Sequence, residues 1–292
     1  MAQGLARGSS RLVTGRAERR SPGRAGVVGL VGRDLNTPAF AQLAEGLQHG
    51  IGEDRRVVLL ASSHGDAGRL GEVLESFRSL PAEGVVVLGA VDRPDDVSRF
   101  ARRGLPVVLV GDCVPMPNVA CVGFDVEMAA RVSVNHLAAS GLRRIGMIGP
   151  PIRLPGSDPT ESGFLAAVEA AGVEGAIVRA EATFLGGEVA LRDLIEGFPG
   201  VDGVVAHNDL MAARVIREAT DLGIRIPTQI AVISADDMGL GALMIPALTS
   251  VRPVRERLTE AVTAALGRLI DEPGVSPEPV AVPVELVARE SA

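Results

Sequence analysis

Polar side chains that could bind a small ligand follow two successive apolar runs in the second half of the chain. Asn208 and Asp209 come directly after the first run, and Asp236 and Asp237 come directly after the second. Both runs are short and continuous, as is typical of strands covered on both faces of a sheet. Because ligands of open α/β sheets bind where the parallel strands end, these side chains predict a cleft for a polar molecule.

Each of these residues also has an alternative, structural interpretation. Asp209 stands where a helix begins, so its carboxylate would equally serve as an N-cap. Asp236 and Asp237 would equally form a solvated turn. His207 lies at the tip of the first strand, where it either faces the ligand or packs away from it.

The elements that must position these residues alternate between strand and helix from residue 27 onwards. The helix after Asn208 carries apolar residues at helical spacing, Gly223 ends it, and Pro227 prevents its continuation. A similar rhythm runs from 27 to 140 and starts again after Gly141, closing with a strand at 280–286. It predicts an α/β fold with two similar lobes, each a doubly wound parallel sheet.

Composition indicates a globular protein with two domains. The chain has 292 residues, of which 47% are hydrophobic and 22% charged. No apolar run approaches the roughly 18 residues that span a bilayer, and no signal-peptide core is present, so we expect a cytoplasmic protein without membrane contact. Cys113 and Cys121 show no metal-binding spacing, and we expect reduced, mostly buried thiols and no metal site.

Charge is unevenly distributed along the chain. Residues 1–24 hold six arginines against one glutamate, a net charge of +5, and since the total is −7 the remainder carries −12. Such an acidic body is a poor surface for nucleic acid. We expect the basic arm at 1–24 to be a flexible tail, with phosphate contact as the alternative.

The motifs of common α/β enzymes are missing. The first strand runs into the segment 29–34 without the third glycine of a dinucleotide site. The chain has no lysine, which excludes a P-loop, and no GxSxG or HExxH sequence. We therefore expect neither catalysis nor a cofactor.

Several short segments share their order and spacing with one protein family. The segments are Asp34-Leu35-Asn36-Thr37-Pro38-Ala39-Phe40, Asn135-His136-Leu137 with Gly141-Leu142-Arg143-Arg144-Ile145, Gly163-Phe164, His207-Asn208-Asp209-Leu210-Met211-Ala212 with Asp236-Asp237, and Leu248-Thr249-Ser250-Val251-Arg252-Pro253. Together they resemble the effector-binding core of the lactose-repressor/galactose-repressor (LacI/GalR) family of bacterial transcription regulators.

This resemblance implies a fold of the periplasmic-binding-protein type, with two α/β lobes joined by three crossovers. A small, sugar-like or otherwise polar effector would lie between the lobes, and their sides would form a homodimer. Lobe one would comprise 25–140 and 253–272, and lobe two 141–252 and 273–292. Residues 1–24 would be a basic flexible arm, the remnant of a hinge.

The resemblance also assigns a set of effector-binding residues. They are Phe40, Asp125, Arg153, Thr160, Phe184, Asn208, Asp209 and Asp236. Phe40 would pack on the effector from lobe one, with packing beneath the helix as the alternative. Asn208, Asp209 and Asp236 would hydrogen-bond to it from lobe two, and Asp125 would lie at the mouth of the cleft.

Two departures from the family concern lobe two. Thr160 stands where the family usually carries an arginine that holds the effector, and Arg153 on the preceding loop is a candidate substitute. The family's stacking aromatic falls near Ala182, and Phe184 is displaced from it by two residues. Phe184 would either take that role or belong to the core.

The resemblance implies a regulator whose effector shifts an equilibrium between open and closed lobes. DNA would be contacted only through a helix-turn-helix head, whose recognition helices we do not find in this sequence. A solute-binding protein of an uptake system is the alternative with the same fold. It would need a signal peptide or a lipid-anchor cysteine.

Overall fold

The structure, a computed structural model, describes most of the chain after the basic arm. The described residues are 26–35, 38–52, 56–80, 82–89, 94–111, 116, 118–150, 159–181, 183–237, 239 and 241–292. The predicted arm at 1–24, the candidate Arg153, and Ala182 lie outside them.

Strands and helices alternate along the described part of the chain. The strands are β1 (Val27–Gly32), β2 (Val57–Ser62), β3 (Gly84–Leu88), β4 (Val107–Val110), β5 (Val119–Phe124), β6 (Arg144–Gly149), β7 (Glu174–Arg179), β8 (Gly203–Ala206), β9 (Ala231–Ser234), β10 (Thr249–Pro253), β11 (Val280–Val282) and β12 (Val284–Val287). The helices are α1 (Pro38–Gly52), α2 (Ala67–Ser79), α3 (Pro94–Arg102), α4 (Val126–Ala139), α5 (Pro159–Ala171), α6 (Phe184–Gly197), α7 (Asp209–Asp221) and α8 (Arg255–Asp271). None of these helices is long and apolar enough to cross a membrane.

The first sheet has the strand order β11-β5-β4-β3-β1-β2, and all its neighbouring strands are parallel. Its central strands are short runs of valine and leucine that are buried on both faces, as parallel strands require. Helices α1 and α8 complete the core on one face. Helices α2 and α3 complete it on the other.

The second sheet has the order β12-β10-β9-β8-β6-β7 and repeats this plan. Its strands are parallel except β12, which runs antiparallel to β10. Helices α6 and α7 cover one face and α4 and α5 the other. The predicted architecture of two doubly wound α/β lobes is therefore confirmed.

Three crossovers connect the two sheets. The chain passes to the second sheet after β5, returns to the first after β10, and passes over again between β11 and β12. Backbone hydrogen bonds join these crossovers: the Asp125 N–H donates to the Val282 carbonyl at 3.1 Å, and the Val254 N–H donates to the Pro283 carbonyl at 2.9 Å. The three connections thus form one hydrogen-bonded hinge region.

The predicted lobe boundary at residue 140 differs from the structure. Helix α4 follows a strand of the first sheet, but its apolar face packs into the core of the second. Ala130, Val134 and Leu137 share that core with Phe164 of α5. The first crossover therefore lies at Asp125, because burial of this face and not sequence proximity decides where the helix belongs.

The predicted boundary at 273 and the predicted strand at 280–286 also differ from the structure. Pro283 has no N–H to donate to a ladder, and the run divides there into β11 and β12. Strand β11 pairs with β5 in the first sheet, whereas β12 pairs with β10 in the second. The last crossover therefore lies at Pro283.

One cysteine expectation is wrong. Cys121 is buried on β5 as expected, but it is disulfide-bonded rather than reduced. The other cysteine of the sequence, Cys113, lies outside the described residues.

Candidate functional site

The carboxyl ends of both sheets border the crossovers. Strands β5 and β11 of the first sheet and β10 of the second each end where the chain changes lobe. The C-terminal edges of both sheets therefore adjoin the hinge region, which is where the sequence predicts the cleft. Within each edge, the point where strand order reverses lies between β1 and β3 in the first sheet and between β6 and β8 in the second. Ligands of open α/β sheets bind at such points.

Asn208 and Asp209 lie at this reversal point in lobe two, directly after β8. The N-cap of α7 is Asn208, whose Oδ1 accepts a hydrogen bond from the Met211 N–H at 2.9 Å. Asp209 is therefore not the cap, and its side chain is only 1% exposed. His207 is half-buried, and its backbone N–H donates a hydrogen bond to the Ile148 carbonyl at 2.9 Å. Contact of these side chains with an effector stays a prediction.

Asp236 follows β9 at the same edge and is half-buried. Ser234 fixes its backbone: the serine hydroxyl donates to the Asp236 carbonyl at 2.7 Å and accepts from the Asp236 N–H at 3.2 Å. Burial raises the pKa of Asp236 to about 7, and the negative charges of Asp209 and Asp237 add to the effect. The carboxylates that follow β8 and β9 therefore interact electrostatically, and Asp236 can both donate and accept hydrogen bonds near neutral pH.

Asp236→Asn is expected to stabilise the protein at alkaline pH. Because the folded state raises this pKa from 3.8 to about 7, the proton stabilises the fold at low pH and this contribution is lost as the pH rises towards 7. At pH 8 the amide removes a partly buried charge, which we expect to increase the free energy of unfolding by about 1–2 kcal/mol, allowing for solvent screening. Urea unfolding at pH 8 and pH 5 measures the difference, which should shrink at pH 5.

Asp193→Asn provides the control for this experiment, because Asp193 is exposed on α6. Its effect on the free energy of unfolding should be small and similar at both pH values. An equal effect of Asp236→Asn at pH 5 and pH 8 would contradict the assignment.

Asp237 does not form the solvated turn that was the alternative interpretation. Its carboxylate is fully buried and lies 3.3 Å from Arg252 and 3.3 Å from Arg289, with Arg255 at 3.8 Å. Arg252 lies one residue before the end of β10 in the second sheet, and Arg255 begins α8 of lobe one. The carboxylate therefore binds arginines on both sides of the second crossover.

Asp125 lies at the first crossover, between β5 and α4. It caps α4, since its Oδ1 accepts from the Met128 N–H at 2.8 Å. The side chain is half-buried, so the capping role leaves part of the carboxylate exposed at the hinge. Contact with an effector stays a prediction.

Phe40 and Thr160 are more deeply buried than an open ligand site requires. Phe40 is 1% exposed and belongs to the core of lobe one. A Cβ at Gly32 would lie 2.5 Å from its ring, so the ring packs directly on the end of β1. Thr160, in the first turn of α5, is 8% exposed. The burial of Phe40 agrees with the alternative interpretation, in which its ring packs beneath the helix. Contact of Phe40 or Thr160 with an effector stays a prediction.

Phe184 has the opposite environment. It begins α6 and is 45% exposed, so it does not belong to the core, which was the alternative. The Arg214 guanidinium lies over its ring, with Cζ 5.7 Å from the centroid. An exposed ring at the start of a helix that follows β7 is available for contact with a ligand or another protein surface.

An ion pair at the lobe-two edge was not foreseen from the sequence. Arg179 ends β7, and its Nε and Nη2 donate to the two carboxylate oxygens of Glu161 at 2.8 and 2.6 Å. Glu161 follows Thr160 in α5 and is nearly buried. The signal in the sequence is a charged residue at a strand end, the same signal that marked Asp209 and Asp236.

A separate cavity of about 570 Å³ lies between α2 and α3. It is lined by Gly71, Glu75, Arg99 and their neighbours, and by none of the predicted effector-binding residues. Its charges are paired along the helices, for example Arg99 with Asp96 at 3.5 Å. This groove is therefore distinct from the cleft.

Comparisons with known proteins agree with the two-lobed cleft. The model of a family described as "periplasmic binding protein-like domain" matches residues 134–292. An HTH-type transcriptional regulator of the aml 5′ region in Streptomyces limosus is 32% identical over 288 residues, which cover 94% of this chain and 80% of that protein.

Solved structures of regulators have the same fold. The transcriptional regulator CelR in complex with cellobiose superposes with a TM-score of 0.78 at 26% identity, covering 92% of this chain and 85% of that one. A LacI family transcriptional regulator from Arthrobacter sp. FB24, in complex with lactose, superposes with a TM-score of 0.74 at 22% identity, covering 91% and 98%. The chain therefore belongs to the LacI family of transcriptional regulators, and the two lobes are its periplasmic-binding-protein-like effector domain.

Proposed function

We propose that the protein senses a small, hydroxyl-rich effector that binds between the two lobes and shifts the equilibrium between their open and closed arrangements. The observation that carries this proposal is the group of carboxylates at the strand ends of lobe two, on the side where the hinge region connects it to lobe one. Carboxylate oxygens accept hydrogen bonds from hydroxyl groups and orient them. The cellobiose and lactose complexes of the similar regulators support a sugar-like ligand.

The same comparisons favour a regulator over the two other candidate functions. The relative from Streptomyces limosus and the regulator CelR are both named as transcriptional regulators and not as uptake proteins or enzymes. We propose that the protein catalyses no reaction and acts in the cytoplasm. The net charge of −12 on residues 25–292 makes the lobes a poor surface for nucleic acid. We therefore assign DNA contact to a helix-turn-helix head, the type of DNA-binding unit that the name of the Streptomyces relative specifies.

Isothermal titration calorimetry with a panel of pentoses, hexoses and disaccharides tests the proposal. We expect at least one sugar to bind and Asp236→Ala to weaken its binding about tenfold or more, since a hydrogen bond to a charged group contributes about 1.5–3 kcal/mol. Asp193→Ala, on the exposed face of α6, is the matched control. Unchanged affinity in Asp236→Ala would show that the assigned site is wrong.

We also propose that the protein is a homodimer. Lobe two exposes two large apolar side chains in the segment between β9 and β10: Leu243 is 82% and Ile245 is 94% exposed. Single exposed apolar residues are common, but two such side chains within three residues suit a protein interface. The partner proposed for them is a second copy of this chain, as the family resemblance implies.

The double substitution Leu243→Ser with Ile245→Ser is expected to favour the monomer. Sedimentation velocity at micromolar concentration should show a dimer for the wild-type protein and a dissociation constant raised about tenfold or more in the variant. Leu165→Ser, at a residue 52% exposed on α5, is the control. A monomeric wild-type protein, or equal dimerisation of the two variants, would contradict the proposal.

A further inference from the structure

Arg33 occupies the reversal point of strand order in lobe one. It follows the last residue of β1, and its side chain is exposed. The Ser62 hydroxyl at the end of β2 donates to the Arg33 carbonyl at 3.0 Å and accepts from the His64 N–H at 3.1 Å. The backbone that carries this arginine is therefore held at the C-terminal edge of the sheet.

Two glycines make room for the Arg33 side chain along this edge. A Cβ at Gly89, just after β3, would lie 3.7 Å from its Cδ. A Cβ at Gly65, in the loop after β2, would lie 2.9 Å from Nη2 and 3.2 Å from Nε. The stem thus passes by the end of β3, and the guanidinium lies by the loop after β2. Gly65 has a φ of +73°, which also favours glycine there.

The charge of this guanidinium has no close counter-charge among the residues that the structure describes. No carboxylate of those residues lies within 4 Å of it. The nearby Asp66 is engaged in capping α2, where its Oδ1 accepts from the Arg69 N–H at 2.8 Å. Arg69 adds a second guanidinium at this edge, with its Nε donating to the Ser62 carbonyl at 3.4 Å.

The two edges of the cleft therefore differ in the groups they carry. Lobe one exposes the guanidinium groups of Arg33 and Arg69, whereas lobe two carries the half-buried carboxylate of Asp236 and the buried carboxylate of Asp209. A neutral sugar would use only the hydrogen-bonding capacity of these groups. A ligand with an anionic group at one end and hydroxyl groups at the other would match both edges, because a guanidinium fork binds a carboxylate or phosphate through two parallel hydrogen bonds.

We propose that Arg33 is an anion-binding residue of the effector site and that the effector is a polyhydroxylated compound carrying a carboxylate or phosphate group. The anionic group lies against lobe one, and the hydroxyl groups lie against the carboxylates of lobe two. This orientation keeps the ligand's charge away from Asp209 and Asp236. The inference rests on the proposed function, since it specifies the ligand of the same cleft.

The test is calorimetric titration of a matched panel. Pentoses and hexoses are each tested as the neutral sugar, the corresponding aldonate and uronate, and the terminal phosphate. We expect an anionic member to bind about tenfold or more tightly than its neutral parent. The carboxylate and phosphate arms distinguish the two anionic groups.

Variants of Arg33 identify the residue responsible. Arg33→Gln should abolish the preference for the anionic member and Arg33→Lys should retain part of it, because lysine keeps the charge but not the fork. Arg99→Gln, at an exposed arginine of α3 outside the cleft, should leave every affinity unchanged.

Three outcomes would overturn the inference. If neutral sugars bind best and their affinity depends on Asp236, the anionic ligand is wrong while the proposed function stands. If Arg33→Gln leaves the affinity for anionic members unchanged, Arg33 is not the anion-binding residue. If no member of the panel binds the wild-type protein, the proposed function fails together with the inference.

Discussion

Asp237→Asn is expected to lower the free energy of unfolding by about 3 kcal/mol, because it removes a fully buried negative charge that pairs with a cluster of arginines. Within the described residues, the fully buried Asp237 carboxylate is the anion that Arg252 and Arg289 share at 3.3 Å. Both arginines are largely buried and cannot recover full hydration after the substitution. Chemical unfolding monitored by circular dichroism measures the change.

Glu285→Gln is the matched control for this prediction. Glu285 on β12 also pairs with Arg252, at 2.8 Å, but its side chain is 44% exposed. Exposed ion pairs contribute about 0–1 kcal/mol, so the control should lose little stability. If Asp237→Asn and Glu285→Gln lower the free energy of unfolding equally, the buried cluster has no special role.

The position of Asp237 connects the hinge to the candidate site. The residue before it, Asp236, lies at the cleft edge, and its arginine partners flank the second crossover. Arg255 in particular belongs to α8 of lobe one, so its 3.8 Å approach to Asp237 spans the two lobes. In the proposed function, effector contact with Asp236 would act directly beside an interaction that both lobes share. This arrangement suits a protein in which ligand binding shifts the relative position of the lobes.

The strand ends and the residues that follow them could be predicted from the sequence. Valine-rich runs such as β3 and β8 have to be covered on both faces, and this requirement fixes a parallel sheet with helices on each side. Once the sheets are parallel, Asn208 and Asp236 must lie at the same edge. The fold class and the edge that carries the polar residues therefore follow from local patterns alone.

The environment of individual side chains could not be predicted in the same way. Asp236 and Asp237 are adjacent in sequence, yet one is half-buried at the cleft and the other is enclosed by arginines from β10, α8 and the C-terminal segment. Those partners are 15 or more residues away, so no local pattern reports them. The lobe membership of α4 is missed for the same reason, since it depends on which core receives its apolar face.

The second large effect is expected for Gly163→Ala in α5. A Cβ at Gly163 would lie 2.5 Å from the Glu127 carbonyl oxygen and 2.8 Å from the Glu127 Cα, both backbone atoms of α4. Backbone cannot rotate away as a side chain can, so the helices must separate. Overpacking of this kind costs about 3 kcal/mol, of which alanine's higher helix propensity offsets about 1 kcal/mol. A net loss of about 2 kcal/mol in the free energy of unfolding is expected.

Gly267→Ala in α8 separates this steric effect from helix propensity. A Cβ at Gly267 would meet no atom within 4 Å. The same substitution should therefore stabilise the protein by about 0.5–1 kcal/mol, because alanine loses less backbone entropy in a helix. Opposite signs for the two variants in urea unfolding would establish that Gly163 is required for the close approach of α4 and α5. Stabilisation by both substitutions would show that α4 and α5 can move apart at little cost in free energy. The close approach of these two helices beside the first crossover would then not constrain the hinge.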